Sequence, residues 1–168
     1  MTDQSSTSTH EPPEPPAGLI LRRAGSDDAA TLRDLARAAY SHYVERVGRE
    51  PGPMVDDYET RVVEDECWLV NDVGGAAAGY LVLHWEPDHL VLDNVAVAPD
   101  RQGSGIGGFL LAYAEHRARA EHRSEIRLYT HVSMVENIAR YTALGYVETH
   151  RETQSGFNRV FMTKVLDR

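Results

Sequence analysis

The 168-residue chain contains a single cysteine, Cys67, and fewer basic than acidic residues. One cysteine excludes an internal disulfide and a metal site built from cysteines, and it favours a reducing, cytoplasmic location. The 17 Lys and Arg residues stand against 26 Asp and Glu residues, which gives a net charge of −9. This excess of acids disfavours nucleic acid as a partner and favours a cationic one such as an amine, although solubility explains it equally well.

Long apolar runs are also missing from the sequence. None approaches the length of a membrane span, and the N-terminus lacks the apolar core of a signal peptide, so no membrane partner is expected. Residues 1–18 consist mainly of Ser, Thr, Pro and Glu with almost nothing to bury. They predict a disordered tail, followed by one domain over residues 19–168.

The most informative stretch is residues 90–113, LVLDNVAVAPDRQGSGIGGFLLAY. Its Val and Leu residues predict a strand through Val97, and Pro99 ends that strand. Four glycines at positions 103, 105, 107 and 108 then precede a helix. Glycine lets backbone N–H groups converge, and the start of a helix adds its positive dipole end. The stretch therefore predicts a phosphate-binding turn.

Residues 103–108, GSGIGG, also match the dinucleotide pattern G-x-G-x-x-G. That fold requires an acidic residue at the end of the next strand, where this chain has Tyr129, Thr130 and His131. The Lys-Ser or Lys-Thr pair of nucleotide-hydrolysing loops is absent as well. A regulatory module that binds a nucleotide through the glycine turn alone stays open as an alternative.

The order of predicted elements indicates an α/β fold with a mixed, mainly antiparallel sheet flanked by helices. A strand over 19–23 precedes a helix capped by Ser26 or Asp27, and a second helix covers 55–64. Strands over 67–71, 76–85 and 89–97 form an antiparallel meander. A helix, a strand, a helix and two closing strands follow. A capping box of Ser133 and Glu136 predicts that the last helix begins at Ser133.

A binding wall is predicted where the first helix ends. Tyr40, Tyr43 and Arg46 precede a loop with two prolines and a glycine, and aromatic side chains with polar tips suit a substrate-binding surface. Continuation of the core face of the helix explains the two tyrosines equally well.

Residues 102–107, Gln-Gly-Ser-Gly-Ile-Gly, fit the pattern Gln/Arg-x-x-Gly-x-Gly/Ala, which resembles the acyl-CoA signature of the GNAT N-acetyltransferase superfamily. Residues 129–146, YTHVSMVENIARYTALGY, resemble the closing helix of that family, with Asn137, Tyr141 and Gly145 in register. The element order is similar too. The resemblance covers residues 19–166.

This resemblance implies direct transfer of an acetyl group from acetyl-CoA to a primary amine, without a metal. The acceptor would be a small molecule or a protein. The enzyme would be cytoplasmic, and a homodimer is a further expectation. A non-catalytic acyl-CoA sensor of the same fold is the alternative. The resemblance further implies that the coenzyme contacts Val95, Ala96, Val97, Gln102, Gly103, Ser104, Gly105, Ile106, Gly107, Asn137 and Tyr141.

For the chemistry, the resemblance implies that Tyr141 is the general acid. A tyrosine hydroxyl with a pKa of about 10 can donate to a thiolate. Asp93, placed by strand alternation on the side of Val95 and Val97, is the candidate base, and His131 is its competitor. Cys67 belongs to a different strand and is not expected to be a nucleophile. The acceptor would enter between segments 40–54 and 145–159.

Overall fold

A computed structural model describes residues 11–167 and contains one mixed seven-stranded sheet. Its strands are β1 (Leu19–Arg23), β2 (Glu66–Asp72), β3 (Ala77–Trp85), β4 (Leu90–Val97), β5 (Glu125–His131), β6 (Val147–Gln154) and β7 (Phe157–Val165). The sheet order is β1-β2-β3-β4-β5-β7-β6, and every neighbouring pair except β4 and β5 is antiparallel. The predicted fold class is confirmed.

The single parallel pair opens a cleft in the sheet. β4 pairs with β5 only from Leu90 to Leu92, opposite Ile126 to Leu128. Beyond Leu92, β4 continues to Val97 while β5 continues to His131 with no registered pairing between them. One edge of β4 is therefore available in the middle of the molecule.

Among residues 11–167, six α-helices flank the sheet. They are α1 (Ala29–Tyr40), α2 (Val44–Val47), α3 (Gly52–Val55), α4 (Tyr58–Glu64), α5 (Ile106–Ala120) and α6 (Val135–Ala143). Apolar residues of α5 form one buried cluster with β3, β4, β5 and β7, and those of α1 form a second with β2 and β3. The sheet is thus covered on both faces, as its alternating apolar residues require.

Three predicted helix boundaries are wrong. α1 is preceded by a 3₁₀ turn whose capping contact is the Asp28 carboxylate accepting from the Gly25 N–H at 2.9 Å. The predicted 55–64 helix is two helices, because Asp56 is extended and the Asp57 side chain caps α4. The last helix begins at residue 135, since Ser133 contacts His131 rather than forming a capping box.

The structure describes only part of the predicted disordered tail, because residues 1–10 lie outside the described residues. Residues 11–18 contain no helix or strand. The division into a tail and one domain stays a prediction. Within residues 11–167, no helix is both long enough and apolar enough to cross a membrane.

Candidate active site

The free edge of β4 presents backbone groups to the cleft. The Val95 carbonyl oxygen lies 3.0 Å from the Tyr40 hydroxyl, and the Val97 carbonyl oxygen lies 3.5 Å from Gln102 Nε2. Both contacts come from outside the sheet. The N–H and C=O of one strand residue point to the same edge, so the N–H groups of Val95 and Val97 also face the cleft.

A β-bulge at Asp93 shapes this edge. Val82 pairs with Asn94 and Leu83 pairs with Leu92, which leaves Asp93 as the extra residue. Simple alternation does not hold across such a bulge. Asp93 and Val95 do line the same cavity. The alternation expected from the sequence is not the reason, because the bulge interrupts it.

Three tyrosines hold the bulge in place. The buried Asn94 amide donates to the Tyr80 hydroxyl at 2.6 Å and to the Tyr58 hydroxyl at 3.1 Å. The Tyr40 hydroxyl lies 2.9 Å from Asn94 Oδ1. Burial raises the pKa of Tyr40, so its hydroxyl remains a neutral donor. The end of α1 is thereby fastened to the strand at the cleft.

The glycine-rich turn leaves backbone donors free. Gly103 and Gly105 have φ angles of +80° and +87°, a left-handed conformation that other residues adopt with strain. The first backbone bond at the start of α5 runs from the Phe109 N–H to the Gly105 carbonyl at 3.0 Å. In the part of the chain that the structure describes, the N–H groups of residues 105–108 donate to no backbone carbonyl. This geometry suits an anion.

Two spaces meet at the cleft. A groove of about 450 Å³ follows the glycine turn, and a cavity of about 310 Å³ lies beyond the bulge of β4. Four residues line both spaces, and they are Tyr40, Val95, Asn137 and Tyr141. A molecule in the groove and another in the cavity would therefore come together beside the Val95 backbone and the Tyr141 side chain.

Asp93 lies in the cavity in a desolvated position. Burial raises the pKa of its carboxyl, and the charge of Arg61, whose Nη2 is 3.4 Å away, opposes that rise. Arg61 also contacts Asp56 and Asp65 at 2.9 Å each. A carboxylate whose pKa has moved towards neutrality is suited to accept a proton.

Tyr141 projects from α6 at the junction of the two spaces. It is buried, and that burial raises its pKa to about 12. The hydroxyl is therefore protonated at neutral pH and able to donate. Cys67 is also buried, and burial raises the pKa of its thiol to about 12. A buried thiol of this kind is a poor nucleophile.

His131 is less suited to act as a base. Its Nδ1 accepts from the Ser133 N–H at 3.1 Å, so the neutral ring carries its proton on Nε2. Burial lowers its pKa, which keeps the ring neutral. To accept a proton it would have to do so through the nitrogen that already holds the backbone contact, or change tautomer.

The structure places four other candidate residues as follows. Tyr43 lines only the groove. Arg46 lines neither space and pairs with Glu136 at 2.7 Å. The Ser104 hydroxyl donates to the Arg101 carbonyl and does not line the groove. Ile106 lines the groove and is buried.

Several site residues were missed from the sequence. Arg140 lies beside the glycine turn, with Nη1 at 3.0 Å from where a Cβ on Gly107 would stand. Arg159 and Phe157 line the cavity. In the sequence, only the position of Arg140 directly before Tyr141 could have indicated that Arg140 belongs to the site. The arginine and phenylalanine of β7 reach the cavity through strand pairing between distant parts of the chain.

A model of the acetyltransferase (GNAT) family matches residues 29–146, which is more than half of the chain. The chain therefore belongs to the GNAT acetyltransferase family, a class of acyltransferases.

Solved structures with the same fold share little sequence with this chain. A GCN5-related N-acetyltransferase from Rhodopseudomonas palustris is 22% identical over 94% of this chain and 99% of that one, with a TM-score of 0.72. The PaiA N-acetyltransferase from Thermoplasma acidophilum, in complex with coenzyme A, is 18% identical over 88% and 99%, with a TM-score of 0.74. The ribosomal-protein-S18-alanine N-acetyltransferase from Escherichia coli is 16% identical over 89% and 95%, with a TM-score of 0.72.

Proposed function

We propose that the protein transfers an acetyl group from acetyl-CoA directly to a primary amine. The observation that supports this most is the meeting of the groove and the cavity at Val95 and Tyr141. A long co-substrate in the groove and an amine in the cavity would face each other there. Family membership and a structural neighbour that holds coenzyme A support the choice of co-substrate.

The groove offers three kinds of group to coenzyme A. The free N–H groups of the glycine turn would bind its pyrophosphate, and Arg140 would add a positive charge beside them. The backbone of residues 95–97 would pair with the pantetheine arm as an added strand, and Asn137 would contact that arm. When bound, acetyl-CoA supplies an activated acetyl thioester.

The residues of this chain would then move protons and stabilise charge. Asp93 would take a proton from the ammonium form of the acceptor, directly or through a water molecule, and so leave the neutral amine, which is the nucleophilic form. The Val95 N–H would face the acetyl carbonyl oxygen as negative charge develops on it. The Tyr141 hydroxyl would donate to the departing sulfur. No covalent bond to the protein is required.

The experiment that tests this function uses the wild-type protein, acetyl-CoA and a panel of primary amines. Release of free thiol is followed for each amine and compared with the Tyr141→Phe variant. We expect at least one amine to cause release, and the variant to lower kcat by about 100-fold with nearly unchanged coenzyme affinity. Binding of acetyl-CoA without thiol release for any amine would support the sensor instead.

A further inference from the structure

Two arginines, Arg61 and Arg159, line the cavity beyond the bulge of β4, and they differ in the number of carboxylates around them. Arg61 is surrounded by the carboxylates of Asp56, Asp65 and Asp93 at 2.9, 2.9 and 3.4 Å. Three carboxylates around one guanidinium leave an excess of negative charge at this end of the cavity. His84 Nδ1 lies 2.6 Å from Asp65 Oδ1, and that hydrogen bond raises the pKa of His84.

Arg159 is the second arginine, and it forms no ion pair with any carboxylate of residues 11–167. Its guanidinium carbon lies 4.2 Å from the centre of the Tyr129 ring, and its Nη1 donates to Gln154 Oε1 at 2.8 Å. Stacking on an aromatic ring fixes the plane of a guanidinium and leaves the N–H groups at its edge available. Such an edge matches the two oxygens of a carboxylate.

The carboxylates around Arg61 and the guanidinium of Arg159 lie at the same cavity. The Tyr129 hydroxyl lies 3.4 Å from Asp93, and the ring of the same residue lies under Arg159. A single small molecule can therefore reach Asp93 with one end and Arg159 with the other. Apolar residues, among them Val47, Pro51 and Phe157, complete the lining of the cavity.

We infer that the acceptor is an amino carboxylate, a small molecule that carries a primary amine and a carboxylate, and that Arg159 binds the carboxylate. The inference rests on the proposed acetyl transfer and names the substrate class for it. The amine lies towards Asp93 and the carboxylate towards Arg159. The apolar lining favours an acceptor with an apolar side chain. This differs from the simple cationic amine that the net charge of the chain suggests.

The test compares the standard L-amino acids with their carboxamides, which keep the α-amine and lose the negative charge. We expect wild type to acetylate at least one apolar amino acid with a kcat/KM about 10- to 100-fold above that of its amide, the usual effect of one charged hydrogen-bonded pair. Arg159→Gln is expected to abolish this preference, mainly through KM for the acid, and to leave the amide nearly unchanged.

Arg49→Gln is the matched control. Like Arg159, Arg49 stacks on an aromatic ring, with its guanidinium carbon 3.6 Å from the centre of the Phe157 ring. It donates to the Ser155 carbonyl and does not line the cavity. Its removal is expected to preserve the preference for the acid. Thermal unfolding of both variants checks that each is folded. Equal or better acetylation of amides by wild type, or a preference that survives Arg159→Gln, would overturn the inference.

Calorimetric titration separates this inference from the proposed function. The same acids and amides are titrated into the protein saturated with coenzyme A, which cannot transfer an acetyl group. Tighter binding of an acid that is lost in Arg159→Gln supports the inference, even if no amine is ever acetylated and the proposed function fails. Acetylation of amines with no binding preference for the acid would leave the function intact and overturn the inference.

Discussion

The Tyr40 hydroxyl lies 3.0 Å from the carbonyl oxygen of Val95 and thereby joins the last residue of α1 to the free edge of β4. The same hydroxyl lies 2.9 Å from Asn94 Oδ1. These contacts hold the Asn94 side chain and the carbonyl group of Val95, which both directly follow the bulge at Asp93. We propose that they orient the Val95 N–H towards the reacting carbonyl, so that Tyr40 is a positioning residue.

Replacing Tyr40 with phenylalanine tests this arrangement. The change removes a donor from two acceptors, one of them on a buried side chain, so the free energy of unfolding should fall by about 1–2 kcal/mol. We expect kcat to fall about tenfold, with the KM for acetyl-CoA little changed. The control is Tyr43→Phe, because Tyr43 lines only the groove and its hydroxyl contacts no acceptor in the described part of the chain. A kcat that stays at the wild-type value in Tyr40→Phe would remove Tyr40 from the mechanism.

The pH dependence of kcat tests Asp93 as the base. Burial raises its pKa above the ordinary value of 3.8. A base acts when deprotonated, so activity should be present above the raised pKa and lost as the pH falls through it. The acidic limb of the kcat profile, where activity falls with falling pH, should therefore lie at a higher pH than it would for an exposed aspartate. Asp93→Asn should lower kcat about 100-fold and abolish the limb.

His131→Gln is the companion variant for this profile. Because the Nδ1 of His131 is occupied by the Ser133 N–H, we expect the acidic limb to remain. A limb that disappears in His131→Gln and survives in Asp93→Asn would show that the roles are reversed.

The glycine turn is tested with a pair of matched alanine variants. Gly105 has a φ of +87° and Gly75 a φ of +89°, and neither has a neighbour within 4 Å of where a Cβ would stand. Alanine at either position should cost about 1 kcal/mol in the free energy of unfolding. Only Gly105→Ala should weaken coenzyme A binding, by about tenfold or more, because Gly105 alone of the two lines the groove. Equal coenzyme affinity in the two variants would contradict the phosphate-binding assignment.

Arg140 should contribute charge to coenzyme binding. It forms no ion pair with a carboxylate of the described residues, and its side chain lies against Gly107. We expect Arg140→Gln to raise the Kd for coenzyme A about tenfold and to reduce the dependence of that Kd on salt. Arg46→Gln is the control, since Arg46 pairs with Glu136 and lines neither space. An equal effect of both changes would mean that only the general charge of this face matters.

The sequence predicts the groove better than the cavity. The groove follows one continuous stretch, where the glycines, the strand before them and the helix after them are adjacent in the chain, so their pattern is local. The α/β class and most strands follow for the same reason, since apolar alternation and turn residues act over a few positions. The break between α3 and α4 was missed because the cap at Asp57 consists only of contacts between its side chain and one residue, Thr60.

The cavity depends on contacts between distant segments. Arg159 reaches it because β7 pairs with β5, which places it opposite His131. Arg61 reaches Asp93 from α4, which lies 32 positions earlier in the chain. The bulge depends on the register of β3 against β4 and has no local signature in the sequence. Alternation therefore gave a reason for the position of Asp93 that the strand geometry does not support.

Mass spectrometry of one reaction tests the central claim most directly. The wild-type protein is incubated with acetyl-CoA and the amine panel, and the masses of both the amines and the protein are recorded. The account predicts that an amine gains one acetyl group on nitrogen for each thiol released, while the protein mass is unchanged. Unmodified amines in the presence of bound coenzyme, or an acetyl group that accumulates on the protein, would contradict direct transfer.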